Sequence, residues 1–291
     1  MPTSAAEAIH PTARIHDSAR IDPSASIGPE VTIEPDVIVG PHCAIGAGTT
    51  LRARAIIVSH TTMGANNDVH PYAVLGGDPQ DRAFSPDKPG SLVIGDRNIF
   101  REAVTISRST GDGPITTIGD DCFFMSQSHA AHNCRVANRV TLANGACLAG
   151  YSEVADGCVF SGFTGTHQFT RVGELVMFRA GARVGMHVPP FVVVADGNLI
   201  GGLNVIGLRR AGFNAQERED LKLVYRALLR DRGATPMQTV IDRLEAQQDW
   251  SRAARRFLDF FIESLALTGR QARGICPART RSSAEHHTDS D

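Results

Sequence analysis

The 291-residue sequence is poor in several features that mark particular classes of protein. Aromatic residues make up 6% of the chain, with one Trp and three Tyr, whereas 28 residues are Gly. This mixture of small and aliphatic residues suits a tightly wound solenoid better than a β-sandwich. The net charge is −2, which gives no indication of binding to nucleic acid or to an anionic membrane surface.

Features of secreted and membrane proteins are also missing from the sequence. No apolar run reaches the length needed to span a bilayer. The opening stretch MPTSAAEAIHPTARI lacks a basic segment followed by an apolar run, so it predicts no signal peptide. The six Cys contain no Cys-x-x-Cys spacing. We therefore expect a cytoplasmic protein with reduced thiols and no membrane span.

A repeat of six residues runs through most of the chain. Of the 27 sixth positions over 9–75, 94–106 and 118–184, 25 carry a large apolar side chain, and the residue four positions further on is mostly small or β-branched. Two inward positions per repeat predict short flat strands joined by tight corners. Such strands stack as a parallel β-helix, with about 18 residues per coil and about 4.8 Å between coils. The repeat is interrupted at 76–93 and 107–117, which we predict to be loops.

Four cysteines fall on the small inward position of the repeat. A buried thiol behaves there as a small hydrophobic group. We therefore interpret these cysteines as core residues rather than as redox or metal-binding groups: Cys43, Cys122, Cys134 and Cys158.

The six-residue period ends at 189–190, where two prolines break the strands, and a helical period follows. Asn214 and Glu217 have the spacing of a capping box at a helix start. The Thr-Pro pair at 235–236 is typical of a second helix start, and apolar residues over 250–265 indicate a third helix. The C-terminal part is therefore predicted to be helical.

These patterns divide the chain into three parts. We predict a hexapeptide-repeat β-helix over 1–190, a C-terminal helical domain over 191–275 and a disordered tail over 276–291. The first predicted helix carries basic residues at a spacing of four, which puts them on one face, either as a solvated surface or as a docking surface for an acidic partner. They are Lys222, Arg226 and Arg230.

The motif SHAAHNC, whose second histidine is His132, lies where the apolar repeat weakens. The anchors at positions 130 and 166 are Ala and Thr instead of large apolar residues. His132 follows an anchor by two residues, so its side chain is predicted to point outward. Steps of one coil lead along the same face to Gly150 and Gln168. An outward His, a bare glycine backbone and an amide in one column suit a general base and an oxyanion-binding N–H.

Three interpretations of these histidines stay open on spacing alone. An outward histidine is often only solvated. A zinc site needs three or four convergent ligands, whereas His129, His132 and His167 fall on different faces or levels of one chain, so a metal would need a neighbouring subunit. The third interpretation is general-base catalysis.

Five motifs occur in an order that resembles a known family: SHAAHNC, LANGACLAGY, GTHQF, HVPPFVVVADGN and GLNVIGLRRAGF. They resemble the bacterial UDP-N-acetylglucosamine O-acyltransferases, and the resemblance covers nearly the whole chain. It implies a left-handed parallel β-helix and a homotrimer with active sites between subunits. The implied reaction transfers a 3-hydroxyacyl chain from acyl carrier protein to the 3-hydroxyl of the nucleotide sugar, the first step of lipid A synthesis. No cofactor is implied, because the acyl phosphopantetheine arrives on the carrier protein.

The resemblance also implies roles for individual residues. His132 would be the general base, and the Gly150 N–H would stabilise the oxyanion. Asp81 would contact substrate, and we expect Asp81 and His132 of different chains to share one cleft. Ala180 would lie at the floor of the acyl cleft and favour a medium-length chain. The remaining matches are to residues that contact the sugar, the acyl phosphopantetheine or the nucleotide: His129, His167, Gln168, Asn204 and Arg210.

The sequence departs from the family pattern at several positions near these motifs. Asn133 occupies a position at which the family usually has Asp, so His132 lacks a possible charged partner. The other departures concern the sugar and nucleotide contacts: Ser107, Tyr151, Ile206 and Ala211. They leave open an acyltransferase with another sugar or amine acceptor, or a catalytically silent β-helix that serves in binding or assembly. The γ-type carbonic anhydrases share the repeat, but their metal-histidine pattern is not apparent.

Overall fold

The computed structural model describes residues 9–111, 113–247 and 249–279. Most strands are two residues long, and hydrogen bonds join each strand to strands one coil before and one coil after it. The chain therefore winds into a parallel β-solenoid with three sheets, as the six-residue repeat predicts. The left-handed sense stays a prediction.

Three sheets run along the solenoid, one on each face. The first has 11 strands: Arg14–Ile15, Thr32–Ile33, Thr50–Leu51, Asp68–Val69, Ile99–Phe100, Phe123–Phe124, Thr141–Leu142, Val159–Phe160, Met177–Phe178, Val192–Asp196 and Leu199–Leu203. The second has 9 strands: Arg20–Ile21, Ile38–Val39, Ile56–Ile57, Val74–Gly77, Thr105–Ser107, His129–Ala130, Cys147–Leu148, Gly165–Thr166 and Arg183–Val184. The third has 8 strands: Ser26–Ile27, Ala44–Ile45, Thr61–Met63, Leu92–Ile94, Thr116–Ile118, Arg135–Val136, Glu153–Val154 and Arg171–Val172.

Strand pairing keeps one register along the solenoid. His129 pairs with Cys147 on the next coil, so a side chain stacks on the residue eighteen positions away. The two loops expected from the sequence occupy 78–91 and 108–115. The strands before and after each loop still pair in parallel. The loops are therefore insertions at corners, and they do not change which residues face inward.

Each corner is a tight turn whose first residue stays outside the hydrogen-bond ladder. At one corner, the Ala55 N–H donates to the Arg52 carbonyl at 3.0 Å, and Arg54 has a φ of 64°, as in a type II turn. The N–H of the residue before Arg54 forms no ladder bond. Equivalent corner positions therefore accept proline: Pro23, Pro29, Pro35, Pro41 and Pro71. Where that position is not proline, its N–H is available to another partner.

The inward side chains form an apolar core, as predicted. Phe160 and Phe178, one coil apart on the first sheet, are fully buried and stack with ring centroids 4.2 Å apart. The four cysteines assigned to the core are buried. Burial raises the pKa of Cys122 to about 11 and of Cys134 and Cys158 to about 12, so these thiols stay protonated at neutral pH.

Helices follow the solenoid. They are α1 Val205–Arg210, α2 Ala215–Tyr225, α3 Met237–Gln247 and α4 Arg252–Ala266, with a π-helical turn Arg226–Arg230 after α2 and a 3₁₀ turn Gly269–Gln271 after α4. The capping box predicted from Asn214 and Glu217 is present at the start of α2. Helices α2 and α4 pack through Tyr225 and Phe257, whose ring centroids are 6.1 Å apart. Of the helices described, none has the length and apolar character to cross a membrane.

Strand structure continues past the two prolines at which the repeat ends. Val192–Asp196 joins the first sheet, and Leu199–Leu203 pairs with it as an antiparallel hairpin. The last coil leaves backbone groups unpaired, and the hairpin covers this edge. Helix α1, which the sequence did not predict, begins directly after it with Asn204 as its cap.

The chain after α4 returns to the solenoid. Residues 276–279 were predicted to belong to a disordered tail, but the Cys276 N–H donates to the His187 carbonyl at 2.9 Å, and Cys276 is fully buried. This part of the prediction is therefore wrong, because an apolar side chain anchors the segment. The rest of the predicted tail, 280–291, lies outside the described residues.

We expect Phe160→Ala to lower the free energy of unfolding by about 3–5 kcal/mol, because it leaves a cavity under the ring of Phe178. Urea unfolding measures the loss. The matched control is Phe163→Ala on the same coil, because Phe163 is 68% exposed and its loss should change the value by about 0.5 kcal/mol or less. Equal losses for the two variants would contradict the assignment of Phe160 to the core.

Candidate active site

A cleft of about 650 Å³ opens on the second sheet, where the repeat carries polar side chains. The Tyr151 N–H donates to the His132 carbonyl, and the Phe169 N–H donates to the Gly150 carbonyl, both at 3.1 Å. Corners of three successive coils therefore lie directly on one another. The column expected from the repeat is present, and five of the candidate residues line the cleft: His129, His132, Gly150, His167 and Gln168.

The exposure of His132 differs from the sequence prediction. The residue is only 5% exposed, although it occupies an outward position of the repeat. Asp81, from the loop 78–91, lies against the imidazole. The Tyr151 ring meets the imidazole edge-on, with centroids 5.5 Å apart. A loop residue and a corner side chain thus convert an open face into an enclosed site.

Asp81 reaches His132 within one chain. Its Oδ2 lies 4.0 Å from His132 Nε2, too far for a hydrogen bond but close enough for an electrostatic contact. The expectation that these residues come from different chains is therefore wrong for this contact. In the second sheet the strand Thr105–Ser107 lies between Val74–Gly77, which the loop 78–91 follows, and His129–Ala130. The loop therefore extends past one coil to bring Asp81 to the coil of His132.

Asn133 fixes the orientation of the His132 ring. Its Nδ2 donates to the Pro114 carbonyl at 2.7 Å, which identifies the other amide atom as the acceptor. That atom, Oδ1, lies 2.7 Å from His132 Nδ1 and also accepts from the Thr110 N–H and hydroxyl at 3.3 and 3.1 Å. His132 Nδ1 must therefore carry the proton of this bond. The neutral ring then presents an unprotonated Nε2, which is the form that a general base needs.

Gly150 lies against the imidazole of His132. A β-carbon at position 150 would be 2.9 Å from both Cε1 and Nε2 of His132, so only a residue without a side chain fits. Gly150 occupies the first corner position, whose N–H the ladder does not use. Within the described part of the chain this N–H has no hydrogen-bond acceptor. A free donor and a free basic nitrogen therefore lie on adjacent coils.

His129 lies on the same coil as His132 and contacts Thr105, one coil away. Its Nδ1 is 2.7 Å from Thr105 Oγ1. Burial lowers the pKa of His129, so the ring is neutral at neutral pH. His129 can therefore offer a neutral hydrogen-bonding group to the cleft.

Three candidate residues lie outside this single-chain cleft. Asn204 caps α1 by accepting from the Gly207 N–H at 2.9 Å, and it donates to the Leu175 carbonyl at 2.8 Å. Arg210 is in the last turn of α1 and is exposed. Ala180 is exposed at a corner and does not line the cleft.

The cleft also contains residues that the sequence analysis missed. Cys147 and Arg183 lie in the same column as His129, so adding eighteen residues to His129 once and three times finds them. Phe163 projects from a neighbouring corner. Gln80 comes from the loop 78–91, for which the repeat carries no signal.

Each of the three histidines of the cleft contacts another side chain of the protein at Nδ1. The Nδ1 atoms of His129, His132 and His167 contact Thr105, Asn133 and Arg273, respectively. Over residues 9–111, 113–247 and 249–279, no group of three or more His, Cys, Asp or Glu side chains is placed to hold a metal ion.

Arg108 holds the loop that carries Asp81. This arginine is only 6% exposed. Its guanidinium pairs with Asp78 at 2.5 Å, donates to the Pro89 carbonyl at 2.5 Å and the Gly76 carbonyl at 3.0 Å, and lies 5.5 Å from the centroid of the Phe84 ring. One side chain thus ties both ends of the loop to the solenoid, which fixes the position of Asp81 over His132.

The solenoid and its cleft define a hexapeptide-repeat transferase with a C-terminal helical part. Residues 12–50 match the family model described as bacterial transferase hexapeptide, six repeats. Residues 187–276 match the model described as UDP-N-acetylglucosamine O-acyltransferase, domain 2. One match lies in the solenoid and the other spans the end of the solenoid and the helical part.

Similar proteins give the family directly. An acyl-(acyl-carrier-protein)–UDP-N-acetylglucosamine O-acyltransferase of Verminephrobacter eiseniae is 45% identical over 60% of this chain and 67% of its own length. One of Stenotrophomonas maltophilia is 40% identical over 68% of this chain and 75% of its own. The UDP-N-acetylglucosamine acyltransferases of Francisella novicida and Campylobacter jejuni are each 32% identical with a TM-score of 0.78. These structures cover 94% and 93% of this chain and 95% and 100% of their own. The chain belongs to the UDP-N-acetylglucosamine O-acyltransferase family.

We expect Arg108→Lys to loosen the loop 78–91, because an ammonium group cannot reproduce the planar fork of bonds to Asp78 and the two carbonyls. Amide hydrogen exchange in the loop should accelerate by about tenfold or more, as for the loss of a hydrogen bond to a charged group. Arg82→Lys, an exposed change on the same loop, is the control and should leave exchange unchanged. Equal exchange in both variants would show that Arg108 does not hold the loop.

Proposed function

We propose that this protein transfers a 3-hydroxyacyl chain from acyl carrier protein to the 3-hydroxyl of UDP-N-acetylglucosamine, the first step of lipid A synthesis. The observation that supports this most strongly is the close contact of His132 and Gly150. An unprotonated Nε2 and an unused backbone N–H lie side by side, and the glycine has no room for a side chain. Acyl transfer to a hydroxyl needs this pair of groups, a base and an oxyanion donor.

The proposed chemistry follows from the protonation of His132. A sugar hydroxyl is a poor nucleophile, so Nε2 of His132 takes its proton as the oxygen attacks the thioester carbonyl. The carbonyl oxygen becomes an oxyanion that the Gly150 N–H stabilises. When the tetrahedral intermediate collapses, the carbon–sulfur bond breaks and the departing thiolate takes the proton from Nε2. Asp81, 4.0 Å away, stabilises the imidazolium in between.

The donor and acceptor would approach this centre from different sides. The acyl chain would lie in the cleft beside Cys147, Gly165 and Val184, where the walls carry small or apolar groups. The donor brings its own phosphopantetheine, so the reaction needs no further cofactor. Ala180 as the residue that limits chain length stays a proposal, and it needs a second wall, since Ala180 lies outside the single-chain cleft.

We propose a homotrimer in which a neighbouring subunit supplies that wall. The cleft is a surface of one solenoid, and Asn204 and Arg210 of the same chain do not line it. A neighbour's α1 could bring Arg210 to the nucleotide phosphates, with Asn204 positioning the start of that helix. A cytoplasmic location stays part of this proposal.

The basic residues predicted on the first helix share one groove with a volume of about 660 Å³. Lys222, Arg226 and Arg230 line it, together with apolar contacts from Tyr225 and Leu229. Lys222 contacts Glu219 at 3.2 Å and Arg226 contacts Asp231 at 2.9 Å, so part of the positive charge is compensated. We propose this groove as the docking surface for the acidic carrier protein.

A different acceptor is the second candidate function. Tyr151 stands beside His132 where the family pattern has His, and it stacks on Phe169 with ring centroids 4.7 Å apart. This aromatic wall replaces a polar group next to the base. Another sugar or an amine acceptor would accommodate the change, so acceptors other than UDP-N-acetylglucosamine belong in the same assay.

We expect His132→Ala to reduce transfer by about 10²–10⁴-fold, because the attacking hydroxyl loses its base. The assay follows product mass from 3-hydroxyacyl carrier proteins and a panel of acceptors that includes UDP-N-acetylglucosamine. His16→Ala, on an exposed corner far along the solenoid, is the control and should retain full activity. Activity of His132→Ala within a few-fold of the parent would refute its role as base. Transfer only to another acceptor would select the second candidate, and no transfer at all would favour a binding module.

We expect replacement of Lys222, Arg226 and Arg230 by Glu to raise the KM for acyl carrier protein at low salt while leaving kcat near the parent value. Charge reversal repels the acidic partner without touching the cleft. Replacement of Arg14, Arg20 and Arg243 by Glu is the control, because these residues are exposed and the replacement changes the net charge by the same amount away from the groove. An unchanged KM in the triple variant would assign these residues to a solvated helix face.

A further inference from the structure

The segment 271–276 is tied to the last coil of the solenoid by a buried histidine. His187 is fully buried, and its Nδ1 accepts from the Arg171 N–H at 3.0 Å. The other ring nitrogen, Nε2, must then carry the proton that it donates to the Gln271 carbonyl at 2.8 Å. The His187 N–H also donates to the Gly274 carbonyl at 2.7 Å. This segment, which follows the last helix, therefore has a fixed position beside the cleft.

The segment 271–276 places Arg273 in contact with His167 of the cleft. Arg273 Nε donates to the Gly185 carbonyl at 3.0 Å, which orients the guanidinium. Its Nη2 lies 2.9 Å from Nδ1 of His167. His167 and Gly185 both line the cleft. Arg273, 106 positions further along the chain, thus contacts the imidazole of His167 at Nδ1.

This contact decides the tautomer of His167. A guanidinium donates protons and does not accept them, so Nδ1 of His167 must be the acceptor. The proton of the neutral ring is then on Nε2. A competing contact from Nδ1 to the Gln168 carbonyl would need a proton on Nδ1, but it is 3.4 Å long. The shorter, charge-assisted bond from Arg273 is the stronger of the two.

We propose that Arg273 is a positioning residue that holds His167 as its Nε2–H tautomer, so that His167 acts as a hydrogen-bond donor to a substrate oxygen rather than as a second base. The two histidines then have complementary roles. Asn133 leaves Nε2 of His132 free to accept a proton, whereas Arg273 makes Nε2 of His167 a donor. The catalytic part of this inference rests on the proposed acyl transfer, but the assignment of the tautomer does not.

The first test reads the tautomer without any substrate. In histidine labelled with ¹⁵N, the ring shifts distinguish a protonated Nε2 from a protonated Nδ1, and a spectrum of His167→Gln assigns the signals. We expect an Nε2–H signal for His167 in the parent and a mixture of tautomers in Arg273→Met, which keeps the bulk but has no donors. Arg270→Met, an exposed change on the adjacent 3₁₀ turn, should leave the signal unchanged. An unchanged His167 signal in Arg273→Met would overturn the proposal.

The second test separates action through His167 from a general structural effect. Arg273→Met should lower kcat/KM about tenfold, as for the weakening of one hydrogen bond, while the midpoint of urea unfolding stays close to the parent value. Arg273→Lys should recover part of the loss, because one ammonium can bond either Gly185 or His167. In a His167→Gln background, Arg273→Met should cost nothing further. An equal loss in both backgrounds would show that Arg273 does not act through His167. If the protein does not transfer acyl groups, the tautomer measurement still decides the assignment.

Discussion

The hydrogen-bond ladder between coils is the constraint on which the rest of the structure depends. It joins each strand to the strand one coil later, which is eighteen residues on wherever no loop intervenes, as His129 joins Cys147. It also leaves the first residue of every corner without a ladder bond. At several corners that residue is Pro or has its N–H capped by a side chain, such as Asp156 at Asn138. At Gly150 the N–H has no acceptor among the residues that the structure describes, and Gly150 lies against the imidazole of His132.

The candidate site combines this regular frame with a loop outside the repeat and with individual corner side chains. The frame brings His132, Gly150 and Gln168 into one column, but it does not enclose them. Enclosure comes from the loop 78–91, whose ends Arg108 ties together, and from the ring of Tyr151. The chemistry then depends on which ring nitrogens carry protons, and the neighbours Asn133 and Arg273 decide this for His132 and His167. Regular stacking thus sets distances, whereas the irregular segments and individual corner side chains such as Tyr151 and Asn133 set burial and protonation.

The difference between the regular repeat and the irregular segments explains which features could be predicted from the sequence. The parallel β-solenoid, the inward cysteines and the column at His132 follow from adding one coil length, because the ladder keeps its register along the chain. The burial of His132 and its contact with Asp81 in one chain could not be predicted, because the loop 78–91 has no periodicity from which to derive its path. Contacts across long sequence separations were also missed: Arg273 with His167, and His187 with Gln271. Their hydrogen bonds form only once the solenoid exists and leave no local pattern in the sequence.

The claim that one pair of neighbouring corners performs the transfer is tested most directly by a crystal structure with UDP-N-acetylglucosamine and an unreactive ketone analogue of the acyl thioester bound. We expect the 3-hydroxyl of the sugar to donate to His132 Nε2 at about 2.6–3.2 Å. We expect the ketone oxygen of the donor analogue on the side of the Gly150 N–H, at about 2.7–3.1 Å. Binding of both groups away from this column, with His132 and Gly150 contacting neither oxygen, would contradict this assignment.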